Sequence, residues 1–220
     1  MQLVKTLNFL KKLRKNNNKE WFDANRSTYE EVKSEIKALV VKTIDAIAVF
    51  DPSIAALEPK DCVFRINRDI RFSKDKTPYK TSLGCIVAPG GKKSIKSCYY
   101  IHIEPDNCFI AGGIHMPQPD QLKMIRQEID YSGDQLNALF KSKSFSKYFK
   151  TFDQELKLIR IPKGYDDMHA HADLLKLKSF TVTLPIDETV FTKGDIIKTA
   201  IPAFKELLKL NTFLNTAIDS

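Results

Sequence analysis

The sequence predicts an α+β fold with a mainly antiparallel sheet covered by helices, and with helical N- and C-terminal regions. Apolar residues recur every three or four positions over roughly the first fifty residues, which is typical of helices. From Asp61 the period shortens to two, and helical spacing returns at Pro119. Strands therefore follow one another along the chain, which favours antiparallel pairing. The length of 220 residues and the apolar content of 43% suit a single domain over residues 1–220.

Two helices are expected in the N-terminal region. Leucines at positions 3, 7, 10 and 13 place a first helix before the asparagines at 16–18. Asn18 can cap a second, long helix that stops near Asp51 and Pro52. The apolar stripe of that second helix comprises Phe22, Tyr29, Val32, Ile36, Leu39, Thr43 and Ile47.

The middle of the chain is expected to supply strands. Pro105, Asp106 and Asn107 favour a turn between the last two apolar segments, so those two should form an antiparallel hairpin. The segments with a period of two are residues 62–66, 83–87, 98–103 and 108–114.

Helix and strand mix in the C-terminal half. Pro119 suits the first position of a helix, and shorter helical pieces should continue to about Lys150. Strands are expected at residues 156–161 and 180–185. A closing helix over residues 195–217 is expected to bend near Pro202.

Composition narrows the function classes. The N-terminal residues lack the apolar run of a signal peptide, and no charge-free stretch approaches the roughly 20 residues that cross a bilayer. We therefore expect a soluble, cytoplasmic protein with no membrane partner. The four cysteines lack C-x-x-C spacing and are expected to be reduced and buried. The protein is basic, with a net charge of +8, which attracts phosphates, nucleic acid or anionic small molecules.

Residues 65–80 hold the densest chemistry, because six cations and two carboxylates occupy these sixteen positions. If residues 64–72 are extended, Arg68 points among apolar side chains and needs a carboxylate or an anion as a partner. Arginines in excess of carboxylates leave guanidinium groups free to bind phosphate or carboxylate. We therefore expect a pocket for an anionic small molecule, with or without turnover. Its predicted ligand-binding residues are Arg65, Arg68, Asp69, Arg71, Ser73, Lys76 and Tyr79.

Alternatives to this pocket stay open. Asp69, the candidate catalytic residue, either orients an arginine or serves as a base. The same charges could form a structural salt-bridge network that pins residues 73–79 onto the sheet, with Pro78 and Tyr79 as packing anchors. A nucleic-acid-binding module is a further alternative, since basic residues cluster at 11–19 and 141–150, the latter interleaved with aromatic residues. A structural or protein-interaction domain with no chemistry is the third.

Residues 65–80 also carry a family resemblance. They resemble the signature R-I-x-R-D-x-R-F-S-x-D-K-x-P-Y-K of the family catalogued as domain of unknown function 2461. Further matching motifs lie at residues 17–22, 99–100 and 162–165, so the resemblance covers nearly the whole chain. Members are single-domain, largely bacterial proteins without an assigned activity. The resemblance implies a family and no mechanism, and Met168-His169-Ala170 departs from the Asp-His-Pro that such proteins often have.

The histidines give weaker signals. His169 and His171 lie among carboxylates, but a solvated helix entrance explains them better than a metal site. His102 and His115 share a sheet face only in one of two hairpin registers, and the sequence leaves that register open. We expect no metal site, and the sequence indicates no cofactor. Tyr100, His102 and Glu104 are expected to form a polar sheet face that could border a cleft.

Overall fold

A computed structural model describes residues 1–219 and confirms the α+β class. The four strands form one antiparallel sheet in the order β1-β2-β3-β4. The strands are β1 Leu83–Val87, β2 Cys98–Ile103, β3 Phe109–Ile114 and β4 Phe180–Pro185. The helices are α1 Val4–Lys15, α2 Lys19–Ala24, α3 Arg26–Ala48, α4 Pro59–Cys62, α5 Pro119–Lys141, α6 Lys143–Ser146, α7 Ala172–Leu175, α8 Glu188–Thr192 and α9 Ile196–Asp219. No helix within the described residues is both long and apolar enough to cross a membrane.

The chain divides into two compact units. Unit 1 comprises Met1–Lys93, Tyr100–Ile110 and Pro185–Ile201, and unit 2 comprises Ser94–Tyr99, Ala111–Leu184 and Pro202–Ser220. In unit 1 the leucine stripe of α1 and the apolar stripe of α3 are buried. The core of unit 2 is rich in aromatic residues, among which Phe152 lies 5.8 Å from Phe180 and Tyr99 lies 5.4 Å from Phe204 between ring centroids.

The N-terminal helices begin and end where local chemistry dictates, with one correction. Asn18 caps α2 as predicted, because its side chain accepts a hydrogen bond from the Trp21 amide at 2.9 Å. The expected single long helix is nevertheless two helices. Asn25 leaves the helical region at φ −108° and ψ 17°, and its side chain donates to the Trp21 carbonyl at 2.8 Å, so the chain breaks between α2 and α3.

Two predicted strands are absent from the described chain. In place of a strand at residues 62–66, Pro59 starts the single turn of α4, after which only Val63 pairs with Cys85 as an isolated bridge. Residues 64–72 are likewise not a regular strand. Residues 156–161 form turns and bends instead of a strand. Ile159 is 95% exposed, so the alternating apolar residues of this segment do not form a buried face. Both predictions were wrong because apolar residues at every second position indicate a strand only where a neighbouring strand pairs with the segment along its length.

The remaining predicted elements are confirmed. Between β2 and β3, the Asn107 amide donates to the Glu104 carbonyl at 3.0 Å, and Asp106 adopts φ 68°, which closes a β-turn with Pro105 at its second position. Helix α5 begins at Pro119 but is kinked at Ser132. Helix α9 covers the predicted closing helix and continues through Pro202.

Candidate functional site

Residues 65–80, here called the arginine loop, form a closed loop in unit 1. Its two arms pair antiparallel, since the Arg68 amide donates to the Pro78 carbonyl at 2.9 Å and the Lys80 amide donates to the Ile66 carbonyl at 2.8 Å. Asn67 and Tyr79 form an isolated bridge between the same arms. Residues 69–77 therefore lie at the tip, and the base of the loop carries Arg65.

Arg68 lies inside the arginine loop with its donors engaged by the loop itself. Its Nη1 is paired with the Asp75 carboxylate and donates to both the hydroxyl and the carbonyl of Thr77, the latter at 3.1 Å. Its Nη2 approaches the Ser73 hydroxyl at 3.4 Å. Hydrogen bonds from Thr77, and then from Arg68, hold the pKa of Asp75 below its usual value. Arg68 thus holds the tip together and is not directed among apolar residues.

Asp69 and Arg71 form an exposed pair at the tip. The carboxylate accepts from Arg71 Nε at 2.9 Å and from Nη2 at 2.6 Å, a bidentate geometry. These hydrogen bonds lower the pKa of Asp69, which makes it a weaker base and favours its role in orienting Arg71. Lys76 donates to the Ile70 carbonyl at 2.9 Å. The predicted ligand-binding residues of the tip are therefore bound to one another.

Tyr79 is a buried anchor between the arginine loop and the N-terminal helices. Its ring stacks on Phe22 with centroids 4.0 Å apart and planes at 14°. Its amide donates to Asn17 Oδ1 at 3.1 Å, and Asn17 Nδ2 donates to its carbonyl at 2.9 Å. Two of the motifs quoted above, at residues 17–22 and 65–80, are thus joined by direct contact.

Arg65 differs from the other loop arginines because it faces an open groove. The groove has a volume of about 710 Å³ and lies between α3, residues 58–67 and the start of β1. Its walls are mostly apolar, and they carry a few charges at the rim. The lining residues are Tyr29, Glu30, Val32, Lys33, Ser34, Ile36, Lys37, Glu58, Pro59, Lys60, Val63, Phe64, Arg65, Ile66, Asn67, Leu83 and Gly84.

The charges of the groove do not balance. Lys33 is paired with Glu30 at 2.8 Å, and Lys60 with Glu58 at 2.6 Å. The exposed side chains of Arg65 and Lys37 have neither an ion pair nor a hydrogen bond with any residue in the described range 1–219. The groove therefore combines an apolar body with two cations that are available to a ligand.

Part of this groove could not be found in the sequence. Arg65 belongs to the predicted set, whereas Lys37 does not. Lys33 and Lys37 are four residues apart on α3, a spacing that is equally typical of any solvated helix face. The apolar wall residue Phe64 lies with its ring centroid 5.5 Å from Lys80 Nζ. Burial, and then Arg65, lower the pKa of Lys80.

The histidines have separate partners. His102 lies between Tyr100 and Glu104 in unit 1, and His115 Nδ1 lies 3.3 Å from the Ser179 hydroxyl in unit 2. His169 Nε2 lies 2.8 Å from Asp130, while His171 precedes α7 and is buried beside Asn137. Within residues 1–219, no group of three or more His, Cys, Asp and Glu side chains is arranged to hold a metal ion.

Some residues of the two basic clusters are engaged within the protein. In the first cluster, Lys11 is paired with Glu188 and Arg14 with Asp106. In the second, Phe145 and Phe149 are fully buried and so are unavailable for stacking on bases, whereas Tyr148 is half-buried.

Comparison with known proteins adds a family to this geometry. Neither the curated proteins nor the solved structures contain a match to the chain. A family model described as a conserved hypothetical protein (DUF2461) matches residues 5–213, which include both arms of the arginine loop and the whole groove. The chain is therefore a member of the DUF2461 family.

Proposed function

We propose that the chain binds a small molecule with an apolar body and a carboxylate or phosphate group in the groove of unit 1. The observation that carries this proposal is the pair of unpartnered cations, Arg65 and Lys37, in a mainly apolar cavity whose other charged residues are paired with one another. The volume of about 710 Å³ is in the range typical of small-molecule sites.

The two parts of the groove select different parts of the ligand. Arg65 presents a planar guanidinium group, which can bind a carboxylate or phosphate through two parallel hydrogen bonds. Val63, Phe64 and Leu83 offer apolar surface, whose burial against a hydrocarbon or aromatic body contributes roughly 25 cal/mol per Å². A purely polar anion would not contact the apolar surface favourably, and an uncharged hydrocarbon would not bind the Arg65 guanidinium group.

The pairing of the loop arginines changes where in the arginine loop an anion is expected to bind. Arg68 and Arg71 already have carboxylate partners, so the ligand is expected at the base of the arginine loop and not at its tip. In this proposal Arg68 holds the tip of the loop together, and Arg65 makes the contact with the ligand.

A titration with matched probes tests the proposal. Octanoate and octyl phosphate share a chain length with uncharged octanol, and isothermal calorimetry measures the affinity of each for the full chain. We expect the two anions to bind and octanol to bind far more weakly. Arg65→Gln should weaken anion binding about tenfold or more, because a charge-assisted hydrogen bond contributes about 1.5 to 3 kcal/mol. Lys37→Gln should have a smaller effect in the same direction.

Arg71→Gln is the matched control, since it removes an arginine of the same loop that does not line the groove. It should bind both anions like the unmodified chain. Equal losses for Arg65→Gln and Arg71→Gln would indicate a general charge effect and contradict the proposal. Affinity for octanol equal to that for octanoate would contradict it as well.

A further inference from the structure

A chain of three polar side chains crosses the half-buried face of β2 in unit 1. Tyr100 Oη lies 3.0 Å from His102 Nδ1, and His102 Nε2 lies 3.2 Å from Glu104 Oε2. The three residues alternate along the strand, so they share one face. Only 14% of the His102 side chain is exposed, and Phe109 stacks on its ring at 4.4 Å. The imidazole is therefore held in one orientation.

Glu104 decides which nitrogen of His102 carries the proton. Its carboxylate accepts hydrogen bonds and cannot donate them when ionised, so Nε2 must be the N–H donor to it. Nδ1 is then left with its lone pair toward Tyr100 Oη, and the phenol must donate. Asn107 donates to Glu104 Oε2 at 2.9 Å, and Thr81 lies 3.5 Å from Oε1, which fixes the carboxylate. The chain thus directs the phenolic proton toward a base.

The phenol end of this chain packs against Gly84, a residue of the groove wall, whereas Tyr100 itself is not one of the residues that line the groove. Gly84 lines the groove, and a Cβ added to it would meet Tyr100 Cε2 at 2.7 Å and Cζ at 2.8 Å. The tip of the tyrosine ring therefore occupies the space that a side chain at position 84 would fill. A glycine is required here because only its missing side chain allows Tyr100 to approach this wall.

We infer that Tyr100 is a proton-transfer group on the half-buried face of β2, beside Gly84, with His102 and Glu104 as its positioning residues. The substrate class is a small molecule that presents a hydroxyl group, or a C–H group beside a carbonyl, to the partly exposed Tyr100 side chain. The phenolic proton passes to His102 Nδ1, and the resulting imidazolium is stabilised by Glu104. The phenolate oxygen then takes a proton from the ligand, so that one proton has moved from the ligand to His102. The reverse sequence protonates the ligand.

The activation of Tyr100 does not rest on the proposed function. It can be measured on the full chain without a groove ligand, with a small neutral aryl sulfonyl fluoride as the probe. The phenolic oxygen forms the S–O bond, fluoride leaves, and the proton goes to His102. Peptide mass spectrometry gives the labelling rate of each tyrosine. Tyr131 is 92% exposed and serves as an internal reference in every sample.

We expect Tyr100 to be labelled faster than Tyr131 even though it is less exposed. His102→Gln and Glu104→Gln should each slow Tyr100 labelling by about tenfold or more, the lower range of acid–base effects, and leave Tyr131 unchanged. Nitrogen NMR shifts of His102 should report the Nε2–H tautomer in the unmodified chain and a mixture in Glu104→Gln. A Tyr100 rate that is below that of Tyr131, or that is insensitive to both substitutions, overturns the inference. Such a failure leaves the anion titrations of the groove standing, so the two proposals can fail separately.

Discussion

Replacing Arg68 by alanine tests whether the tip of the arginine loop is a structural clamp. Arg68 Nη1 donates to Asp75 and to two oxygens of Thr77, and 25% of the side chain is exposed. One charge-assisted hydrogen bond contributes about 1.5 to 3 kcal/mol, and partial exposure reduces the contribution of the others. We therefore expect Arg68→Ala to lower the free energy of unfolding by about 2 kcal/mol. For a chain of this size that corresponds to a fall of about 4 to 8 °C in Tm.

Urea unfolding followed by tryptophan fluorescence measures this loss. Trp21 is the sole tryptophan, and it lies in unit 1 with its ring 5.7 Å from Phe9. Arg71→Ala is the matched control, because Arg71 also has a carboxylate partner in the same loop but is 76% exposed. It should leave the urea midpoint unchanged. Arg68→Lys should recover little of the loss, since an ammonium group cannot reproduce the guanidinium fork.

The reasoning is refuted if Arg68→Ala unfolds at the same urea concentration as the unmodified chain. It is also refuted if that variant keeps its stability while losing affinity for octyl phosphate. In that case the guanidinium would serve a ligand and not the loop, and the proposed site would move from the base of the loop to its tip.

Two further predictions concern pH and thiol chemistry. The folded-state pKa of Asp75 lies below its ordinary value of 3.8, so its stabilising contribution is present above that value and is lost as the pH falls through the lower folded pKa. Urea midpoints measured between pH 6 and about pH 3 should therefore fall less steeply for Asp75→Asn than for the unmodified chain, and parallel curves would contradict this. Burial raises the pKa of Cys62 to about 11 and that of Cys98 to about 12, and also raises the pKa of Cys108. These thiols should resist iodoacetamide at pH 8 in the folded chain and react in denaturant, whereas rapid alkylation of the folded chain would show that they are accessible.

The sequence predicts those elements whose periodicity and end signals agree. Strand β4 falls at Phe180–Pro185 as expected, because an alternating apolar pattern ends at a proline. Helix α2 begins where Asn18 can cap it. Residues 62–66 and 156–161 have the period of a strand but no full-length partner, and pairing is a property of the fold that local pattern does not contain. The break at Asn25 has a local cause, the hydrogen bond from its side chain to the Trp21 carbonyl, which the apolar stripe on either side does not reveal.

The candidate site shows a similar division. Charge density alone pointed to residues 65–80, and that segment does border the groove. Arg68 and Arg71 are bound to carboxylates of the loop, and only the fold shows that Arg65 is the arginine that faces the groove. Lys37 comes from α3, and its presence in the same groove as Arg65 depends on the tertiary fold, which no spacing rule contains. Tyr100, His102 and Glu104 could be placed on one sheet face from their alternation, but their hydrogen-bonded order required coordinates.

The positions of the two carboxylates in the arginine loop explain why its unpaired arginine lies at the base. The segment has six cations and two carboxylates, and both carboxylates, Asp69 and Asp75, lie in the tip. They are taken by Arg71 and Arg68, the two arginines that are within reach. Arg65 lies at the base of the loop, and the backbone pairing of the two arms separates it from the carboxylates at the tip. No carboxylate of the loop is therefore hydrogen-bonded to Arg65. An arginine left over by internal pairing, in the lining of a mainly apolar groove, is the reason we propose that the partner of Arg65 is a bound ligand.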